Sequence, residues 1–164
     1  MSIQRRSYET GHKPKCLVII DDSAEWDRAV HYASRWAARS GGGVLMLRII
    51  ETEDQNQQWL GVADIMRAEA EENANAALDR AAGRASGIAG ITPERAIREG
   101  DPIEQILDVI EADADIAMLV LAASPGPEGP GPLISAVANT VGSFPVPVVI
   151  VPGELSDANL DALS

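Results

Sequence analysis

Three polar residues, Asp21-Asp22-Ser23, follow the apolar run Cys16-Leu-Val-Ile-Ile20. A loop rich in glycine and proline, Ser124-Pro-Gly-Pro-Glu-Gly-Pro-Gly-Pro132, follows a second apolar run, Ile116 to Ala122. These are residue types a nucleotide site uses. Carboxylates accept hydrogen bonds from ribose hydroxyls, and glycine lets backbone N–H groups close on a phosphate. Gly126, Gly129 and Gly131 allow such an approach, and the N–H groups of Leu133 to Ser135 with the Ser135 hydroxyl would meet a monophosphate. Opposing this, Pro125, Pro127, Pro130 and Pro132 have no N–H to donate. The loop holds no Lys or Arg, Glu128 adds negative charge, and no Gly-Lys-Ser/Thr follows, which excludes a Walker loop. The chemistry disfavours tight triphosphate binding and leaves open a monophosphate or a weakly held nucleotide.

Other reactive residues point to no second chemistry. Ser124 and Ser135 lack the Gly-x-Ser-x-Gly elbow of a nucleophilic hydrolase. Cys16 sits inside an apolar run and reads as a small core residue. His12 and His31 have no second ligand at metal-binding spacing, so no metal is expected. Asp21 and Asp22 are adjacent on an extended strand and point to opposite sides, which suits no shared Mg²⁺. With no base, cationic clamp or metal carboxylates in view, slow ATP hydrolysis is the rival reading and turnover is not expected.

The elements that would position these residues alternate along the chain. Cys16–Ile20, Val44–Ile50, a weak segment in Pro93–Arg98, Ile116–Ala122 and Val146–Val151 read as strands, the apolar ones buried on both faces. Between them, Trp26, Val30, Ala33 and Ala37 give a helical stripe. Asp22 is expected to cap that helix, with Glu25 in the capping-box position. A long helix lies between Trp59 and Ser86, its apolar positions including Leu60, Ile65, Met66 and Leu78. Asp101-Pro102-Ile-Glu104 starts a third helix with an aspartate cap and a proline in the first turn. Such alternation implies a five-stranded parallel sheet with helices on both faces, most economically in the order 3-2-1-4-5. The switch point then brings Asp21, Asp22 and Ser23 beside the Ser124–Pro132 loop.

Bulk properties narrow the partners. The 164 residues fit one domain, with 46% apolar residues for the core. A net charge of −12 repels phosphate backbones and anionic lipid, so neither nucleic acid nor membrane is an expected partner. One cysteine, no membrane-length apolar stretch and no signal-peptide core suggest a cytoplasmic protein. Residues 1–14 read as a loose arm, 15–152 as the domain and 153–164 as a tail.

Several separated segments now resemble one family. The apolar strand ending in Asp-x-Ser, the Arg98-Glu-Gly-Asp-Pro-Ile-Glu-Gln-Ile106 segment, Ala114-Asp115 before the fourth strand, and Val146-Pro-Val-Val-Ile-Val-Pro152 together resemble the universal stress proteins. The resemblance implies an adenine nucleotide alpha hydrolase-like fold of order 3-2-1-4-5. It also implies a homodimer through antiparallel pairing of the last strands, here Val148, Val149, Ile150 and Val151. Nucleotide-binding members carry Gly-x-x-Gly, nine residues, then Gly-Ser or Gly-Thr. In this chain the first glycine falls at Ala122, the second at Pro125 or Gly126, and the last pair at Ile134-Ser135. The expectation is a dimeric stress-response domain with a weak or vestigial cleft for ATP or AMP, regulated through a protein partner the sequence does not identify.

Overall fold

The computed structural model describes residues 3–51 and 60–164, with the side chains of residues 60 and 61 outside that description. Among the described residues, five strands form one parallel sheet: β1 (Lys15–Ile19), β2 (Gly43–Ile50), β3 (Glu94–Glu99), β4 (Ile116–Ala123) and β5 (Val148–Pro152). Their order is β3-β2-β1-β4-β5, as the sequence implies. Five helices connect or flank them: α1 (Trp26–Ser40), α2 (Leu60–Ala89), α3 (Pro102–Ala112), α4 (Pro132–Ala138) and α5 (Asp157–Leu163).

The two faces of β1 explain the layering. Successive side chains of a strand point to opposite faces, so Cys16, Val18 and Ile20 meet α1, the alanines of α2 and Leu160 of α5. Leu17 and Ile19 meet Ile106 and Ile110 of α3 and Ile134 and Val137 of α4. Both core layers are almost wholly aliphatic, as a chain with one phenylalanine requires. The third strand is an exposed edge, its residues Glu94, Arg95, Arg98 and Glu99 facing solvent.

Several local expectations give way to tertiary contacts. Asp22 does not cap α1: the helix begins after Glu25 with no side-chain cap, because Asp22 is drawn to the Arg48 guanidinium at 3.0 Å. In α2 the buried face is Ala74, Ala77, Leu78, Ala81 and Ala85, while Ile65 and Met66 are 62% and 54% exposed. The amino-terminal turns of this 30-residue helix carry no buried position before Ala74 among those described. Trp59 lies outside the described residues.

Residues in the described segments 3–14 and 153–164 contact the rest of the domain. Arg6 N–H donates to the Ala114 carbonyl, and His12 Nδ1 lies 2.7 Å from Asp115 Oδ1. At the other end, Ser156 caps α5 by accepting from Asn159 N–H, and Leu160 is fully buried against α1.

Candidate functional site

At the carboxyl ends of the strands, β1 leads toward β2 on one side while β4 continues toward β5 on the other. Their diverging ends frame a cleft of about 700 Å³, within the usual size for a small-molecule site. The sequence-derived residues Asp21, Asp22, Ser23, Ala122 and Gly131 line it.

The two aspartates have separate tasks. Asp21 Oδ1 accepts from both the N–H and the hydroxyl of Ser23, at 3.0 and 2.5 Å, which fixes its carboxylate at the cleft wall. Asp22, also at the cleft, pairs with Arg48, which donates from Nη1 to the Ile20 carbonyl. Arg48 therefore ties the end of β2 to the end of β1.

Arg48 is the cleft residue the sequence reading missed. It lies within an apolar strand, shortly before the polar stretch Glu51 to Gln58, and nothing local marks it as facing a ligand. Among the described residues lining the cleft it is the one Lys or Arg, against Asp21, Asp22, Glu25, Glu51 and Asp101. Apolar surface comes from Ile49, Ile103, Leu121 and Leu133.

The proline-rich loop closes on itself before it reaches the cleft. Ser124 N–H donates to the Pro130 carbonyl at 3.0 Å, and Gly129 N–H to the Gly126 carbonyl at 3.4 Å. Gly129 and Gly131 have φ of +97° and +111°, conformations that side-chain-bearing residues avoid. Only Pro130, Gly131 and Pro132 of this loop line the cavity; Gly126 and Gly129 form its outer turn. Ser135 is exposed, does not line the cleft, and donates its hydroxyl to the Gly131 carbonyl at 3.0 Å. The loop thus borders the cleft without aiming its outer glycines into it.

A second polar cluster lies behind α1, where α2 and α5 meet it. Asp27, His31 and Asp157 bring potential ligand atoms within 4.8 Å of one another, a grouping the spacing of the sequence did not indicate. Their surroundings suit ion pairing. Arg28 and Arg84 engage both Asp27 oxygens at 2.5 and 2.6 Å. Burial works to raise the Asp27 carboxyl, but the two guanidinium groups outweigh it and hold the group below the usual carboxylate range. His31 is 3% exposed, because α5 covers it and Asp161 lies 2.7 Å from its Nε2.

Comparison with known proteins agrees with this architecture. No curated protein sequence matches the chain. The universal stress protein UspA from Lactobacillus plantarum is similar in structure, with a TM-score of 0.67, 20% identity, and coverage of 84% of this chain and 97% of that one. A universal stress protein in complex with cAMP has a TM-score of 0.60 at 20% identity, covering 84% and 96%. The universal stress protein from Archaeoglobus fulgidus in complex with dAMP has a TM-score of 0.57 at 17% identity, covering 84% and 96%. A family model, the universal stress protein family, matches residues 14–152, so the chain belongs to that family.

Proposed function

We propose that the protein is a dimeric, non-catalytic stress-response domain whose cleft binds an adenine mononucleotide weakly. The carrying observation is the cavity of about 700 Å³ at the switch point, lined by a fixed carboxylate, an apolar wall and one guanidinium. Adenine would lie against Ile49, Ile103 and Leu133, Asp21 would accept from the ribose, and Arg48 would meet the phosphate. Two relatives crystallised with cAMP and dAMP support this ligand class.

The same lining argues for one phosphate over three. Among the described lining residues five acids accompany one cation, so each further phosphate would add repulsion. For ATP hydrolysis, the rival reading, the described lining residues offer no cationic clamp of the kind phosphoryl transfer uses. Calorimetric titration with AMP, cAMP and ATP tests the reading: binding of AMP or cAMP tighter than ATP is expected, and no heat with any of them at millimolar concentration would overturn it. Robust Mg-ATP turnover abolished by Asp22→Ala would favour the enzyme instead.

Dimerisation rests on β5. It is an edge strand, and an apolar edge with unpaired backbone groups invites a two-fold partner. Ile150 is 47% exposed there, whereas Val151 is buried in the core and would contribute through its backbone.

A further inference from the structure

The cleft has two lobes, one on each face of the sheet. Along β2, Val44 and Met46 pack in the layer of α1 and α2, whereas Leu45, Leu47 and Ile49 pack in the layer of α3 and α4. Side chains alternate along a strand, so Arg48 and Ile50 fall on the α1/α2 face. There Trp26 and Ala29 of α1 and Ala70 and Asn73 of α2 line the cavity with them. The other face carries Ile49, Ile103 and Leu133, the wall assigned above to adenine.

On that nucleotide reading, from which this inference starts, a mononucleotide crosses the end of the sheet at Asp21 and ends with its phosphate at Arg48. The α1/α2 lobe begins there, and its chemistry suits a second flat group. Trp26 offers an indole with Ala29, Ile50 and Ala70 around it, and Asn73 adds a carboxamide. An aromatic side chain is a stacking platform for a base, and a carboxamide, both donor and acceptor, matches a base edge. Charge sets the link between the two groups. Arg48 is the one cation among the described lining residues, beside five acids, so the single charge of a phosphodiester is what it can balance. The phosphate would take the place of Asp22, whose side chain is 82% exposed.

We propose that the cleft takes a dinucleoside monophosphate: one adenosine in the α3/α4 lobe, a second nucleoside in the α1/α2 lobe, and one phosphodiester between them at Arg48. Trp26 would stack the second base and Asn73 would pair with its edge. A longer chain would add charges for which the described lining residues hold no further cation.

Calorimetric titration of the full chain with adenylyl-(3′→5′)-adenosine, cAMP and AMP tests this. The dinucleoside and cAMP carry the same single charge, so their affinity ratio isolates the second lobe. The dinucleoside is expected to bind at least about fivefold tighter than cAMP, the lower end of what one base stacked on an aromatic side chain contributes. Trp26→Ala should bring that ratio down to near unity. Ala70→Phe, which fills the lobe from α2, should do the same, and it decides the matter if Trp26→Ala fails to fold. A dinucleoside no tighter than cAMP, or a ratio that either folded variant leaves unchanged, overturns the second lobe while mononucleotide binding stands. No heat with any of the three ligands overturns the nucleotide reading and this proposal together.

Discussion

Arg48 and Asp21 divide the cleft's chemistry by charge. Arg48 already shares its guanidinium between the Ile20 carbonyl and Asp22, so a phosphate bound as proposed would compete with an internal carboxylate, which would keep affinity low. Asp21 is held by Ser23 with one oxygen in place, and its other oxygen is free to accept from a ribose. Asp21→Ala should therefore weaken adenosine and AMP alike by about tenfold, a charged hydrogen bond's worth. Arg48→Met should weaken AMP and leave adenosine nearly unchanged; calorimetry with both ligands separates the two roles. Cys16 belongs to the core instead. Burial pushes its thiol up to about 12, so the folded protein should resist a thiol reagent at neutral pH and react fully once denatured in urea.

Among the elements, α5 converts the end of the chain from an appendage into part of the fold. Leu160 has no exposed surface and joins the same layer as Val18 and Val30. Leu160→Ala should cost about 2–5 kcal/mol in urea denaturation, the range for a buried leucine. Around it, Arg28 joins the Leu155 carbonyl and Asp157 to α1, and Arg35 holds Asp161 at 2.7 Å. Asp161 is also held below its usual range, first by its bond to His31 and then by Arg35. A carboxylate whose pKa is depressed by folding stabilises the fold above its unfolded value, near about 4. That contribution disappears as pH falls through the folded-state value. Stability should accordingly drop on acidification below about pH 4, and Asp27→Asn should flatten the drop. Urea midpoints measured across this window check both.

At the scale of the whole molecule, the sheet leaves two edges of unlike character. β3 presents charged residues, the usual protection against edge-to-edge pairing. β5 presents Ile150 and a short apolar ladder. Pairing of two copies is expected at β5 alone. Sedimentation should show a dimer at micromolar concentration, and Ile150→Lys should give a folded monomer. A wild-type monomer under those conditions would refute the pairing.

Sequence alone determined the layer order, because buried strands, helical stripes and turn residues are local patterns whose periods differ. Parallel alternation then restricted the topology, and Asp21, Asp22, Ser23, Ala122 and Gly131 follow from the switch point it creates. Tertiary structure decided everything that depends on a partner distant in the chain. It withdrew Asp22 from the helix cap toward Arg48, buried His31 beneath α5, and turned Gly126, Gly129 and Ser135 away from the cleft. Hydrogen bonds and charge pairs act over a few ångströms whatever the separation in sequence, so Asp22 and its guanidinium are 26 residues apart in the chain and 3.0 Å apart in space.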